Sequence, residues 1–276
     1  MTMLTKTTHL FDDATRVTAG DSRWRGHTSD DYWAFVGPFG GATAATILRA
    51  LIDQPQRAGD PLALTVNFRA PIAQGAFDLD VRLVKANRST QHWAVELSQD
   101  GAEVASFATA VFAERRPSWA HQQATFPQAK PFEQILPYPE VAASWVKQYD
   151  LRFAEGDPDF SGAAQAAPAN AFSKLWIGDR VPRKIDMLSL MAMSDAFFGR
   201  VFHARGELVP FGTVSLTTYF HADSKGPCGR GYQPRSGRGR CQDFSQELRR
   251  PDRRALVAEG PPARDHASDC VFQGVS

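Results

Sequence analysis

The strongest constraint on the fold is a run of alternating apolar residues that begins at Leu62. Leu62, Leu64, Val66 and Phe68 occupy every second position, and after Pro71 to Gly75 the pattern resumes at Phe77, Leu79, Val81 and Leu83. Asn87-Arg88-Ser89 interrupts it, Trp93, Val95 and Leu97 follow, an Asp100-Gly101 turn comes next, and Val104 to Phe112 completes the set. Successive side chains of a strand point to opposite faces, so a period of two joined by short turns specifies antiparallel strands with one buried face. Such a sheet needs an apolar partner. Just upstream stands Gly37-Pro38-Phe39-Gly40-Gly41, followed by ATAATILRALI. Ile47, Leu48 and Leu51 fall at helical spacing, and Ala42, Ala44 and Ala45 are small enough for the helix to lie close against a sheet. The first half therefore reads as a strand, a helix and then four strands.

Pro117, Pro127, Pro131, Pro137 and Pro139 punctuate the next stretch, which reads as a linker and the entry to a second unit. That unit repeats the first in outline. Lys174 to Ile177 suits a strand. Ile185 to Val201 suits a helix, with Ile185, Leu188, Met191 and Ala192 on one stripe continued by Asp195 and Phe198. Thr213 to Phe220 alternates again. The architecture is duplicated although the sequence is not. The expected units are residues 9–115, a linker over 116–170, a partial second unit over 171–225 and a tail over 226–276.

Composition narrows the partners. A net charge of +1 offers no global attraction to nucleic acid or an anionic membrane surface. The apolar stretches fall short of the roughly 18 residues a membrane span needs. The N-terminal MTMLTKTTHLFDD lacks the apolar core of a signal peptide, so a cytoplasmic location is expected. Cys228, Cys241 and Cys270 are odd in number and widely spaced, which suits neither a disulfide framework nor a zinc site.

Five segments together resemble the acyl-CoA thioesterase II family: GPFGG opening a helix, VNFRAPIAQG, NRSTQHWAVELSQDGAEVASFATAVF, SDAFF and TVSLTTYFH. The resemblance covers about residues 10–223, and its specificity lies in order and spacing. It implies an α+β tandem hotdog, in which two antiparallel sheets each wrap a central helix. It also implies cofactor-free and metal-free hydrolysis of acyl-CoA, with no covalent acyl-enzyme. In that family an Asp, a Thr and a Gln hold and polarise the attacking water. The resemblance places the Asp on Asp195 and the Thr on Thr213. Hotdog sheets commonly pair edge to edge, so a homo-oligomer is expected. A hotdog enoyl-CoA hydratase and a non-catalytic acyl-CoA binder are the competing readings.

The residues add to this independently. Asp195 interrupts an apolar stripe near Met191, Met193, Phe197 and Phe198, where burial would raise its pKa towards a range useful to a general base. An exposed or capping aspartate fits the same pattern. Thr213 alone is unremarkable, since β-branched residues suit strands. His203 and His221 are expected to end elements at the surface. Arg69 and Arg88 suit either coenzyme A phosphates or plain solvation. Gly40 and Gly41 suit either helix N–H groups presented to an oxyanion or close helix packing.

The text changes at Gly226. Residues 226–276 contain no Ile, Lys, Thr, Met, Asn or Trp and are rich in Arg, Gly and Pro. Read literally, this is a disordered basic tail, of a kind that can bind RNA. Read one nucleotide later, the permitted codons include VLGVADAKTFH and GELWSPKGRLLATTHQIAYF, which alternate like the family's closing strands. The expected reading is a shifted frame from about Gly226. The family's Gln then falls on the codon spanning Ser268 and Asp269, and the protein as written lacks it.

Overall fold

The computed structural model describes residues 8–101, 103–116, 128–139, 141–158, 172–206, 209–221, 240–246, 253–259 and 272–274. A short helix α1 (Leu10–Ala14) and strands β1 (Thr18–Ala19) and β2 (Trp24–His27) precede the central helix α2 (Gly40–Ile52). Strands β3 (Asp60–Phe68), β4 (Ala76–Ala86), β5 (Thr90–Ser98) and β6 (Ser106–Ala113) follow. All are where the alternation puts them. Asp100 and Gly101, between β5 and β6, both take positive φ (49° and 72°), as a tight hairpin turn requires. Leu64, Val66, Leu79, Trp93, Val95, Leu97, Ala108 and Phe112 form the inner face and are at most 1% exposed. On α2, every residue from Gly41 to Leu48 is buried, and so are Ala50 and Leu51. A helix apolar on all sides must be enclosed on all sides. The sheet covers one flank and a helix of the second unit covers another.

The second unit enters through β7 (Tyr149–Glu155), which lies inside the segment read as a linker, and continues with β8 (Ser173–Asp179). The long helix expected over 185–201 is instead two pieces, α3 (Met187–Met193) and α4 (Arg200–Arg205). The break has a local cause. Ser194 Oγ donates to the Met191 carbonyl at 2.7 Å, a side-chain bond that competes with helical continuation. Gly199 then caps α4, and Gly206 ends it at φ 66°. Strand β9 (Ser215–Tyr219) does not stay with its own unit. It pairs antiparallel with β3, giving the seven-stranded order β1-β2-β4-β5-β6-β3-β9. One sheet thus runs across both units, tied also by a 2.9 Å Thr65–Thr217 hydroxyl bond.

Three segments of the tail lie among the described residues, and all three are strands. Strands β10 (Arg240–Gln246), β11 (Arg253–Glu259) and β12 (Phe272–Gly274) join β8 and β7 in a second sheet, ordered β12-β10-β11-β8-β7. The physical reason is an edge: β8 would otherwise leave a row of backbone donors and acceptors open, and β11 takes it up. Both β11 with β8 and β10 with β12 pair parallel, whereas every pairing in the first sheet is antiparallel. Among the described residues, no helix is long and apolar enough to cross a membrane.

Arg183 fastens the N-terminal segment to the second unit. Its Nη2 donates to Asp12 Oδ1 at 2.7 Å and to Asp186 Oδ2 at 2.8 Å, its Nη1 donates to Ser189 Oγ at 2.6 Å, and its guanidinium lies 5.0 Å from the Phe11 ring. Burial opposes ionisation of Asp186, but the hydrogen bond and charge of Arg183 overcome it and hold the carboxyl below its usual range. Arg183→Ala strands two acids and is expected to cost about 1.5 kcal/mol in urea denaturation, because water reaches both carboxylates and takes up part of the loss. Arg183→Lys recovers only part, because an ammonium cannot reproduce the planar fork. An unchanged midpoint for the alanine variant would show the clamp to be energetically neutral.

Candidate active site

The site is built where α2 begins. Its N-cap is Phe39, which makes no side-chain capping bond, and its first turn holds no acidic residue. A helix start leaves backbone N–H groups without intrahelical partners and carries partial positive charge. The second unit brings a carboxylate to that end. A Cβ built on Gly40 would stand 2.7 Å from Asp195 Oδ2 and 3.7 Å from its Cγ, with the Phe68 ring at 3.4 Å. Asp195 itself is half-buried in the turn that follows α3, so it leaves the helix rather than interrupting it. The two helices approach just behind this point. A Cβ on Gly41 would collide with the carbonyl oxygen of Ala192 and would lie 2.7 Å from the Phe39 ring.

The other expected residues divide. Thr213 lies two residues before β9, not on it, and is half-buried. Its neighbour Val214 accepts the Phe68 amide at 2.9 Å, which brings this loop to the residue whose ring touches Gly40. Arg69 follows Phe68 at the same end of the sheet and is exposed, donating to the Val104 carbonyl at 3.2 Å. Arg88 turns between β4 and β5. The register places that turn beside Asp60, at the far end of β3 from Phe68, about 25 Å away at strand rise. His221 follows β9 towards that far end and is exposed. His203 departs from expectation. It is 4% exposed, its Nε2 lies 2.9 Å from the Gly156 carbonyl and 3.3 Å from Ser173 Oγ, and burial pushes its pKa down.

An aromatic cluster supports the site from below. Phe39 stacks on Trp145 at 4.4 Å, and Trp145 meets Phe198, three residues past Asp195, at 5.7 Å. Phe39 also packs edge-on against Tyr149, which meets Tyr32 at 6.2 Å. Tyr149 sits opposite Asp179 in the β7–β8 register. The hydroxyls of Tyr32 and Tyr149 and Oδ2 of Asp179 are buried without a hydrogen-bond partner among the described residues. Burial, then the neighbouring Tyr32 and Asp179, raise the pKa of Tyr149, and the charge of Asp195 adds to this. Periodicity does not point to this group, because Tyr149 falls in the stretch that reads as a linker and the entry to the second unit.

Comparison with known proteins matches this arrangement from both ends. The model of the acyl-CoA thioesterase N-terminal domain matches residues 29–113, and that of the acyl-CoA thioesterase C-terminal domain matches residues 114–252, past the change at Gly226. A hot dog fold protein from Alicyclobacillus acidocaldarius is 39% identical, with 79% of this chain and 80% of that chain covered and a TM-score of 0.73. The acyl-CoA thioesterase II TesB2 from Mycobacterium marinum shares the fold at 18% identity, over 77% of this chain and 80% of its own, with a TM-score of 0.57. The tesB protein of Mycobacterium avium subs paratuberculosis does so at 16% identity, over 77% and 80%, with a TM-score of 0.59. Among curated proteins, none matches the chain.

Asp179 supplies a pH test of the cluster. Burial, only partly offset by Arg183, raises its carboxyl from 3.8 to about 6. The folded state therefore keeps a proton that the unfolded chain releases. Stability is expected to fall as pH rises from about 4 to about 6, by an amount on the order of 3 kcal/mol, and to stay reduced above that. Asp179→Asn removes this slope and raises the melting temperature at pH 8. A variant that follows the wild-type profile from pH 4 to 8 would contradict the assignment.

Proposed function

The chain belongs to the acyl-CoA thioesterase family, and on that premise we propose that it cleaves acyl-CoA to a free acid and CoA with Asp195 activating the water. The observation that carries this reading is the seat of Asp195, a carboxylate from one unit on the uncapped helix end of the other. A thioester carbonyl at the start of α2 meets N–H groups suited to the negative charge that develops on its oxygen. Water beside it bonds to the carbonyl carbon while Asp195 takes the water's proton. The carbon–sulfur bond then breaks, and the same proton passes to the departing thiolate. Thr213 orients the water from the loop that enters β9. Nothing in this sequence of steps calls for a cofactor.

The same reading covers assembly and the tail. Between the ends of these strands, the outer face of β9, β3 and β6 presents Ser215, Thr217, Tyr219, Ala63, Thr65, Asn67, Phe107, Thr109 and Val111 without a charge, and Asp60 lies beyond them at the start of β3. An uncharged sheet face supports a homo-oligomer. The tail is out of frame from about Gly226, so the protein as written lacks the glutamine partner and turns over poorly. Its composition supports this. The parallel pairings of its strands do so too, beside a first sheet that is wholly antiparallel. A nucleotide sequence across codons 220–230 without an extra or missing base would remove the frame argument.

Release of free thiol from a panel of acyl-CoAs tests the chemistry, since hydration and simple binding release none. In the frame-corrected protein, Asp195→Asn is expected to lower release by roughly 10²–10⁴-fold. Asparagine still caps a helix, so the fold survives. Thr213→Val is expected to cost roughly tenfold, the worth of one hydrogen bond. Full release by Asp195→Asn would refute the role of that carboxylate.

A further inference from the structure

We propose that Gly40 is a positioning residue for Asp195: the missing side chain at the first residue of α2 is what lets the second unit's carboxylate seat on that helix end. The inference rests on the reading above only for its catalytic consequence. The seating itself is read from geometry. Gly40 does not need to be glycine for its backbone, since only positive φ favours glycine and Gly40 is not among the positive-φ residues. Its helix would gain from alanine, which is a better helix former and has less freedom to lose on folding. What alanine would take away is the room for the carboxylate, which would have to shift. A methyl group would stand 2.7 Å from Asp195 Oδ2, well inside van der Waals contact, while the Phe68 ring at 3.4 Å blocks another side.

The two glycines of the pair do different work. Gly41 lets backbone meet backbone, since its Cβ would run into the Ala192 carbonyl and the Phe39 ring. Gly40 faces a side-chain carboxylate and nothing else closer than 3.4 Å. The two central helices are also capped differently. Helix α3 caps itself, with Asp186 Oδ1 accepting from the Leu188 and Ser189 amides at 3.0 and 2.9 Å. Helix α2 spends its cap position on Phe39, whose ring is committed to the stack on Trp145. The carboxylate that stands at its end therefore comes from across the helix pair, and Gly40 is the clearance through which it arrives.

A double-mutant cycle on the full chain decides the matter without needing turnover. Gly40→Ala in the wild-type background is expected to lower the melting temperature by roughly 2–4 °C, the shift that about 1 kcal/mol produces in a chain of this size. In an Asp195→Ala background the clash is gone, and Gly40→Ala is expected to leave the melting temperature unchanged or raise it. Gly41→Ala should destabilise both backgrounds alike. Equal shifts for Gly40→Ala in the two backgrounds would overturn the proposal. Thiol release by the frame-corrected protein reads the catalytic consequence separately: displacement of Asp195 by on the order of 1 Å lowers kcat by about a hundredfold with KM little changed. Stability coupling without that loss would leave the seat intact and refute Asp195 as the water-activating group.

Discussion

Everything in this molecule depends on how closely two helices can lie. Helix α2 meets α3 where Gly41 faces the Ala192 carbonyl, and no other residue type fits at that distance. A wider crossing would draw Asp195 away from the start of α2 and pull Phe39 off Trp145. It would also strain the junction at which β9 leaves its own unit to pair with β3. The interior is close-packed, so such a displacement is not absorbed locally but passed to the neighbouring elements. The small residues at the head of α2 thus set the geometry of the site before any chemical group is placed.

Much of the fold was legible because its signals are local. The alternation of Leu62 to Phe68 and Phe77 to Leu83 fixes which face is buried, and a one-residue slip would turn all of it to solvent. Asp100-Gly101 marks its hairpin, and the alanines of α2 mark a helix that must be approached closely. The limits are equally physical. The helical spacing resumes beyond Asp195 at Phe198, so periodicity carries the helix to Val201; only the back-bonded Ser194 hydroxyl and Gly199 end it early. Periodicity likewise draws Thr213 into the strand, two residues sooner than pairing begins. Asp195 could be singled out as a carboxylate in apolar company, yet nothing in the chain says that Gly40, about 155 residues away in sequence, is its neighbour. Contacts of that separation exist only once both units are folded.

The second unit completes its sheet by a different route from the first. In the first unit β4, β5 and β6 follow one another through hairpins, and each buries inward residues in the common core with α2. One such strand with three inward side chains contributes about 5–9 kcal/mol, against a net domain stability of about 5–15. The tail strands cover the edge of β8 by parallel pairing, so they answer the backbone's demand for partners. Edge coverage and core burial are separate requirements, and a segment can meet the first through its peptide groups alone.

Duplication offers two helix ends and therefore two places to seat a carboxylate from the other unit, but the chain uses one. Asp195 stands nine residues past the cap of α3; the corresponding step past the cap of α2 reaches Leu48, fully buried in the core. The start of α3 is already satisfied by Asp186, held in turn by Arg183 and tied to Asp12 of the N-terminal segment. One helix end is closed by its own sequence and anchors the units together. The other is left open by its own sequence and is completed by its neighbour. A carboxylate cannot serve at both ends, because placing one at Leu48 would bury an unpaired charge in the best-packed part of the sheet. The asymmetry follows from that cost: the unit that keeps the apolar helix supplies the helix end, and the unit whose helix breaks at Ser194 supplies the acid.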